Sequence, residues 1–500
     1  QVAPEDTVLV KSPLYTYGIS TVGGSLVEAK LLRYRSMAPG GARSVAEILP
    51  PDSRLLDLAL VLGTDTISLR DWYFTASADS LAVAGPTPLR LTASKGPVSV
   101  ALTYTFRPDD YQIGVVGQVT GVGPNGGQLL LGMGPTLGNT EANEKENHSA
   151  LALVVKRNET ERTDFASLKP GEPRTISGPL DWAAIKAKYF VTAVLAFDSA
   201  GGGISGVTAT AWKTDEKRPT SADVRLTLPL RPSGAFGYTV SAGPMEYDRL
   251  RAMGHDFDDV NPYGWPGLRT VIRPVGGAVR WLLVWMDDHR SLPYGLVLVF
   301  FGILVRILLW PLNQKAMRAN MQLQAVQPLM KEIQDKYKND PQRSQQEMFK
   351  LYKEHSVNPL GGCWPMMLPM PVLFALFFVF QNSIELRGAS FLWLPDLSRP
   401  DPFYIIPLIM GLSMFGLSKM GQMGMEPNPQ MKMMLYVMPV MMTFLFLNFA
   451  SGLNLYYAVS NIASIPQQWL IARERQKRMA RQIVEVKTAS PTGSLPKKRK

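Results

Sequence analysis

Arg306 lies inside the apolar run YGLVLVFFGILVRILLWPL, residues 294–312. A guanidinium at that depth in a bilayer costs roughly +2.5 to +3.5 kcal/mol on insertion scales. Tyr294 and Trp310 stand near the ends of the run, so Arg306 sits a helical turn inside it. Such a cation must face a wet cavity, a partner helix or an anionic ligand. No Asp or Glu lies near the middle of any apolar stretch to neutralise it. The chemistry on offer is therefore electrostatic: a fixed cation that attracts an anion transiently. Gly302 and Asn313 fall on roughly the same face, and Gly302 leaves room beside the arginine.

A second polar set occupies residues 453–471. Asn454, Tyr457, Asn461, Ser464 and Gln468 are offset by 0, 3, 7, 10 and 14 residues, which places all five on one helical face. Thr443 and Asn448 add polarity in the preceding apolar stretch. Amides and hydroxyls in lipid either join helices by hydrogen bonds, at about 0.6–2 kcal/mol each, or line a hydrated groove. The unneutralised Arg306 favours the groove.

Catalytic chemistry finds no such support. His148 and His255 have no carboxylate or second histidine at ligand spacing, and no HExxH, GxSxG or phosphate-loop pattern occurs. The single cysteine, Cys363, excludes a disulfide framework and a multi-cysteine metal site. No catalytic residue, metal or cofactor is expected.

The elements that position these residues divide the 500-residue chain unevenly. Residues 1–255 carry short alternating runs such as Val98–Phe106, Tyr111–Val119, Tyr189–Phe197 and Asp223–Leu230, broken by turns at 124–127 and 201–203. Their β-branched and aromatic residues predict a large all-β sandwich. Residues 262–290 follow as a linker and amphipathic helix. Val271, Ile272, Val275, Val279, Leu282, Leu283 and Met286 take one face; Arg269, Arg273 and Arg280 take other positions. With Trp281 and Trp285 this is the profile of a helix lying in the membrane interface, broken or kinked at Pro274 and Gly276-Gly277. A connecting helix packed on the β domain is the plainer alternative.

Five membrane spans are expected in residues 291–471, at about 292–312, 363–382, 402–420, 432–450 and 453–471. The last two are separated only by Ser451-Gly452, which demands a sharp hairpin. Lys and Arg crowd the 313–362 loop and the 472–500 tail, whereas the loop between spans two and three has only Arg387 and Arg399. The positive-inside rule then places loop and tail in the cytoplasm and the β domain outside. The net charge of +11 concentrates near these segments. The chain begins at Gln1 with no export signal in view, so a signal or anchor helix is expected ahead of it. Within the loop, 316–338 and 342–355 read as two solvent-exposed helices split at Asn339-Asp340-Pro341, with Asp340 capping the second. Neither has a strong apolar face.

The second half resembles the YidC-type membrane protein insertases, the bacterial branch of the YidC/Oxa/Alb family. The likeness rests on Arg306 with WPL at 310–312, QPLMKEIQDKYKND at 327–340, NPLGGC at 358–363 and PMPVLFALFF at 369–378. It continues through SIELRGASFLWLPDLSRPDPFYIIPLIMG at 383–411 and SGLNLYYAVSNIASIPQQWLI at 451–471. The first half is similar in size and place to the large periplasmic domain of the Gram-negative members. The resemblance implies a β-supersandwich followed by a five-helix core, multi-pass in a bacterial inner membrane, with the C-terminus cytoplasmic. It implies a groove, open to cytoplasm and lipid, that receives nascent membrane proteins, alone or with the Sec translocon and its accessory subunits, and assists their folding. Client or ribosome contact falls to the hairpin cations Lys331, Lys336, Lys338, Arg343, Lys350 and Lys353. The basic tail suits ribosomal RNA or anionic lipid; specific DNA binding is not expected. A translocon-associated scaffold and an anion-binding transporter are the rival readings.

Overall fold

Alternation of apolar and polar residues over 98–106 becomes a strand in which every second side chain is buried, from Val98 to Phe106. A computed structural model describes residues 6–41, 44–196, 203–212, 218–261, 269–290, 292–354, 370–423 and 432–488. The chain divides into two compact units, residues 1–262 and 263–500.

The first unit is built from antiparallel sheets of five, nine and six strands. One pairing is parallel, Leu9–Lys11 beside Ser80–Ala82. The expected strands appear with ends shifted by a residue or two, as Gln112–Thr120, Phe190–Leu195 and Ala222–Leu230. Strands Ala152–Lys156, Trp182–Lys186 and Phe190–Leu195 are buried along their whole length. One of their faces is covered by the Tyr247–Ala252 helix and the Phe257–Val260 turn, whose Leu250, Phe257 and Val260 join Val154, Trp182 and Ala193 in one core cluster. The Trp182 indole donates to the His255 carbonyl at 3.0 Å, and His255 Nδ1 lies 3.5 Å from Asp181. At the same end the buried Lys186 ammonium donates to Asn261 Oδ1.

The second unit is helical. Helix Arg269–Arg290 is continuous through Pro274 and the glycine pair, without the break that the sequence allows there. Pro274 is its sixth residue, so the ladder loses one hydrogen bond, the one to the Thr270 carbonyl. Its apolar stripe, Ile272, Val279 and Leu283, is buried, while Trp281 and Trp285 are exposed. Arg280 is not on the polar face that its sequence position suggests. It is 4% exposed and bonds Glu385 through Nη2, at 2.9 and 3.2 Å to the two carboxylate oxygens.

Helix Tyr294–Ala325 continues well past the expected end of the first span, through Pro311. The hairpin therefore differs from expectation: the chain breaks at Val326 and resumes as Gln327–Lys336 and Pro341–Glu354. Asp340 caps the second of these, accepting the Arg343 amide at 3.0 Å. The two helices do share a small core, in which Val326 and Leu351 are buried against Met330, Ile333 and Tyr352.

Helices Met370–Asn382, Ile405–Gly421 and Met438–Phe446 follow, the last preceded by a π-helical turn at Met433–Val437. Residues 363–369 of the expected second span lie outside the described residues. After a turn at 447–450, helix Ser451–Thr488 runs on through most of the basic tail. Among the described residues, Tyr294–Pro311 is the helix segment long and apolar enough to cross a membrane, and Ile405–Gly421 and Met433–Phe446 are shorter apolar helices.

Candidate functional site: a cation between two long helices

Small and polar residues at four-residue spacing put one seam of helix Tyr294–Ala325 against helix Ser451–Thr488. At the first level a Cβ on Gly302 would stand 3.2 Å from Val459 Cγ1 and 3.5 Å from the Tyr456 carbonyl, so the glycine sets how closely the backbones approach. One turn on, Arg306 Nε donates to Ser460 Oγ at 2.8 Å and to the Ser460 carbonyl at 3.1 Å. A further turn on, Gln467 donates to the Trp310 carbonyl at 3.1 Å.

Arg306 is half-buried, and among the described residues it forms no ion pair and its terminal nitrogens have no hydrogen-bond partner. Two acids of the unit, Asp396 and Asp401, bond groups of their own loop. Asp396 accepts from Gly388, Ser398 and the Ser398 hydroxyl at 3.0, 2.9 and 2.8 Å. Asp401 accepts from the amides of Phe403 and Ile406 and from the Trp393 indole, capping helix Ile405–Gly421. The guanidinium is held by its base and free at its tip. It can orient an incoming carboxylate through two parallel hydrogen bonds.

The polar stripe read from the sequence is divided by the structure. Asn454 is fully buried and donates to the Phe446 carbonyl at 2.9 Å, closing the end of the preceding helix rather than facing Arg306. Tyr457 packs edge-on against Phe446 at 5.4 Å. Ser464 donates to the Ser460 carbonyl of its own helix at 2.7 Å. Asn461 and Asn313 are half-buried, and Gln468 keeps a buried Oε1 without a partner among the described residues. The column that meets Arg306 is Tyr456, Ser460 and Gln467, one position round the helix from the stripe. Offsets of 4 and 11 along that column keep its three residues on one helical face, as the stripe's own offsets do, so periodicity alone could not choose between the two columns.

On the hairpin, Lys336, Lys338, Arg343, Lys350 and Lys353 are exposed, while the Lys331 side chain lies outside the described residues. Lys336 and Arg343 lie over the Tyr337 ring at 5.5 and 5.7 Å, and Lys350 pairs with Glu347 at 2.7 Å. Phe349, which the charge pattern overlooks, is 62% exposed on the same hairpin and gives these cations an apolar neighbour.

The seam makes a direct prediction. Gly302→Leu forces side-chain volume into the Val459 contact and separates Arg306 from Ser460, which will lower stability by about 1–3 kcal/mol. Thermal unfolding in nanodiscs checks it; an unchanged midpoint would show that the two helices do not rest on Gly302.

Comparison with known proteins now bears on the whole chain. Residues 7–273 match the family model described as "YidC periplasmic domain", and residues 285–478 the one described as "60Kd inner membrane protein". "Membrane protein insertase YidC" of Chlorobium phaeovibrioides is 33% identical over 495 residues, covering 93% of this chain and 83% of that relative. The protein of the same name from Chlorobaculum tepidum is 30% identical over 533 residues, covering 99% and 87%. A solved chain titled "Active YidC insertase crystal structure with the first transmembrane domain resolved" is 18% identical and covers 94% of this chain and 93% of its own, with a TM-score of 0.37. Both units thus fall under matching family models, and relatives a third identical over most of the chain carry one name; this protein belongs to the YidC family of membrane protein insertases, which are not enzymes.

Proposed function

We propose that Arg306 is the charge that draws the polar outgoing segment of a nascent membrane protein into the bilayer. The observation that supports this is the tethered base and open tip of its guanidinium beside a seam of Gly302, Tyr456, Ser460 and Gln467. In this reading the chain crosses the membrane five times, with the β domain periplasmic and the C-terminus cytoplasmic. The hairpin, with its exposed cations and Phe349, receives the client first. The polar seam, with Asn313, Asn461 and Gln468 toward one end, forms a hydrophilic groove that shortens the apolar path. The client's apolar segment then leaves along exposed Leu408, Leu412, Val440 and Phe444, side chains that suit lipid. Cooperation with the Sec translocon, folding assistance, and ribosome contact through the helix that extends to Thr488 complete the proposal.

The test is protease-protected insertion of short single-span clients into liposomes holding this protein alone. A charge-assisted hydrogen bond contributes about 1.5–3 kcal/mol, so Arg306→Ala will slow insertion of a client with an acidic outgoing segment by roughly tenfold or more. A client with a neutral segment will be nearly unaffected, and Arg306→Lys will retain part of the rate. Equal loss for acidic and neutral clients would assign Arg306 to helix packing. No insertion above empty liposomes would favour the scaffold reading.

A further inference from the structure

The β unit carries a cleft of about 430 Å³ over the face of its six-stranded sheet, a volume that accepts a small ligand. Its charged lining, Asp52, Asp57 and Asp223 with Arg54, Arg70 and Arg225, sums to zero. Two polar atoms in it are buried and, among the described residues, lack a hydrogen-bond partner: Ser53 Oγ and Asp57 Oδ1. Ser53 is 4% exposed. A native protein leaves few such atoms unsatisfied without a ligand or water to complete them. The backbone around them is bare. A Cβ on Gly134, whose φ is +77°, would meet Ser53 Oγ at 3.2 Å, and one on Gly132 would meet Asp57 Cβ at 3.1 Å. At the rim Trp212 is 53% exposed, which leaves its indole face open to the cleft that it lines.

The chemistry of the lining selects the ligand class. An anion would meet three carboxylates, and a cation three guanidinium groups. Arg225 is already committed to Asp223 at 3.0 and 3.2 Å, and Arg54 donates to the Val22 carbonyl at 3.0 Å. What the floor offers is an acceptor at Asp57 and a hydroxyl at Ser53, which suit a neutral ligand rich in hydroxyl groups. What the rim offers is an indole face, which suits the C–H face of a pyranose ring. Burial pushes the Asp57 carboxyl up, against the pull of Arg70, Arg225 and Arg54. A donated hydroxyl on Asp57 would restore the hydration that the carboxylate loses there. We propose that this cleft, with Trp212 as stacking platform and Asp57 and Ser53 as polar floor, is a binding site for a neutral saccharide ring.

Saturation-transfer NMR on the full chain tests it, with maltose as the probe. The protein is held in phosphatidylcholine nanodiscs, because an alkyl maltoside detergent would present the same headgroup. Maltose ring protons will take up saturation from the parent protein. Loss of the stacked ring in Trp212→Ala will weaken binding by about tenfold, Trp212→Phe will retain most of it, and Ser53→Ala will lower it. Tighter competition by maltohexaose than by maltose supports a site for a glycan chain, and equal competition supports a site for one ring. No transfer to maltose at millimolar concentration overturns the proposal. So does equal transfer in the parent, Trp212→Ala and Ser53→Ala. Stronger transfer to glucose 6-phosphate than to maltose overturns it in favour of an anion site on Arg70 and Arg225.

Discussion

Replacing Glu385 with Leu while Arg280 stays in place will cost the helical unit about 3–5 kcal/mol. Arg280 is 4% exposed and Glu385 24% exposed, and one guanidinium nitrogen reaches both carboxylate oxygens. Removing the acid takes away the carboxylate that Arg280 meets at 2.9 Å, and much of the compensation for burying that cation goes with it. The pair as a whole is worth far less, because bringing both charges out of water offsets most of their attraction. Arg280→Met with Glu385→Leu will therefore recover most of the stability lost in Glu385→Leu alone. Thermal unfolding in nanodiscs of the two single variants and the double completes the cycle. A Glu385→Leu variant within about 1 kcal/mol of the parent would show that the ion pair is not desolvated.

The second large effect is in the β unit and depends on pH. Burial holds the Lys186 ammonium down at about 7 from an ordinary 10.5, and the Arg162 charge adds to the effect. Between those two values the unfolded chain binds a proton that the folded chain does not, so stability rises with pH from about 7 toward 10.5. Below 7 both states carry the proton, and the folded state bears the full cost of a buried ammonium, on the order of 3–5 kcal/mol. Asn261 Oδ1, which accepts from Lys186, offsets part of that cost. Lys186→Met will thus raise stability at pH 6.5 and flatten the pH profile. Urea unfolding of residues 1–262 between pH 6.5 and 9.5 reads both. That range stays below the buried Tyr15 and Tyr111 hydroxyls, which burial pushes up to about 12. A parent profile that falls with rising pH would contradict the assignment.

How much of this was legible depended on whether the information was local. Val98–Phe106 could be read residue by residue, because a strand with one buried face alternates. Trp182–Lys186 could not, because a strand buried on both faces has no alternation to show. Arg306 was conspicuous because hydrocarbon makes any cation conspicuous. Its partner Ser460 was not, being a small hydroxyl 154 positions away in a run already rich in polar residues. The stripe through Asn454 and Gln468 obeyed helical periodicity but did not reveal which of two adjacent columns met the neighbouring helix. Arg280 misled for a related reason: an arginine on an amphipathic helix looks like solvent-facing charge until Glu385, 105 positions on, is folded beside it.

The amides of Ser451 and Gly452 donate to the carbonyls of Arg399 and Leu397 at 2.7 and 2.9 Å, so the first turn of the longest helix is fastened to the loop that precedes Ile405–Gly421. Asp401 fastens the start of that helix to the same loop, and Asn454 fastens the end of Met438–Phe446. Mechanically this end is stiff, with backbone bonds that no passing molecule can replace. Toward the other end the tie is Gln467 to the Trp310 carbonyl, a side-chain bond that water or a client's amide can take over at little net change. The ties along helix Ser451–Thr488 are therefore unequal: backbone bonds to the 396–401 loop hold its start, and a replaceable side-chain bond holds it near Gln467. Arg306 meets this helix at Ser460, between the two, so the bond most easily exchanged for one to water lies beyond the guanidinium and not on the loop side of it.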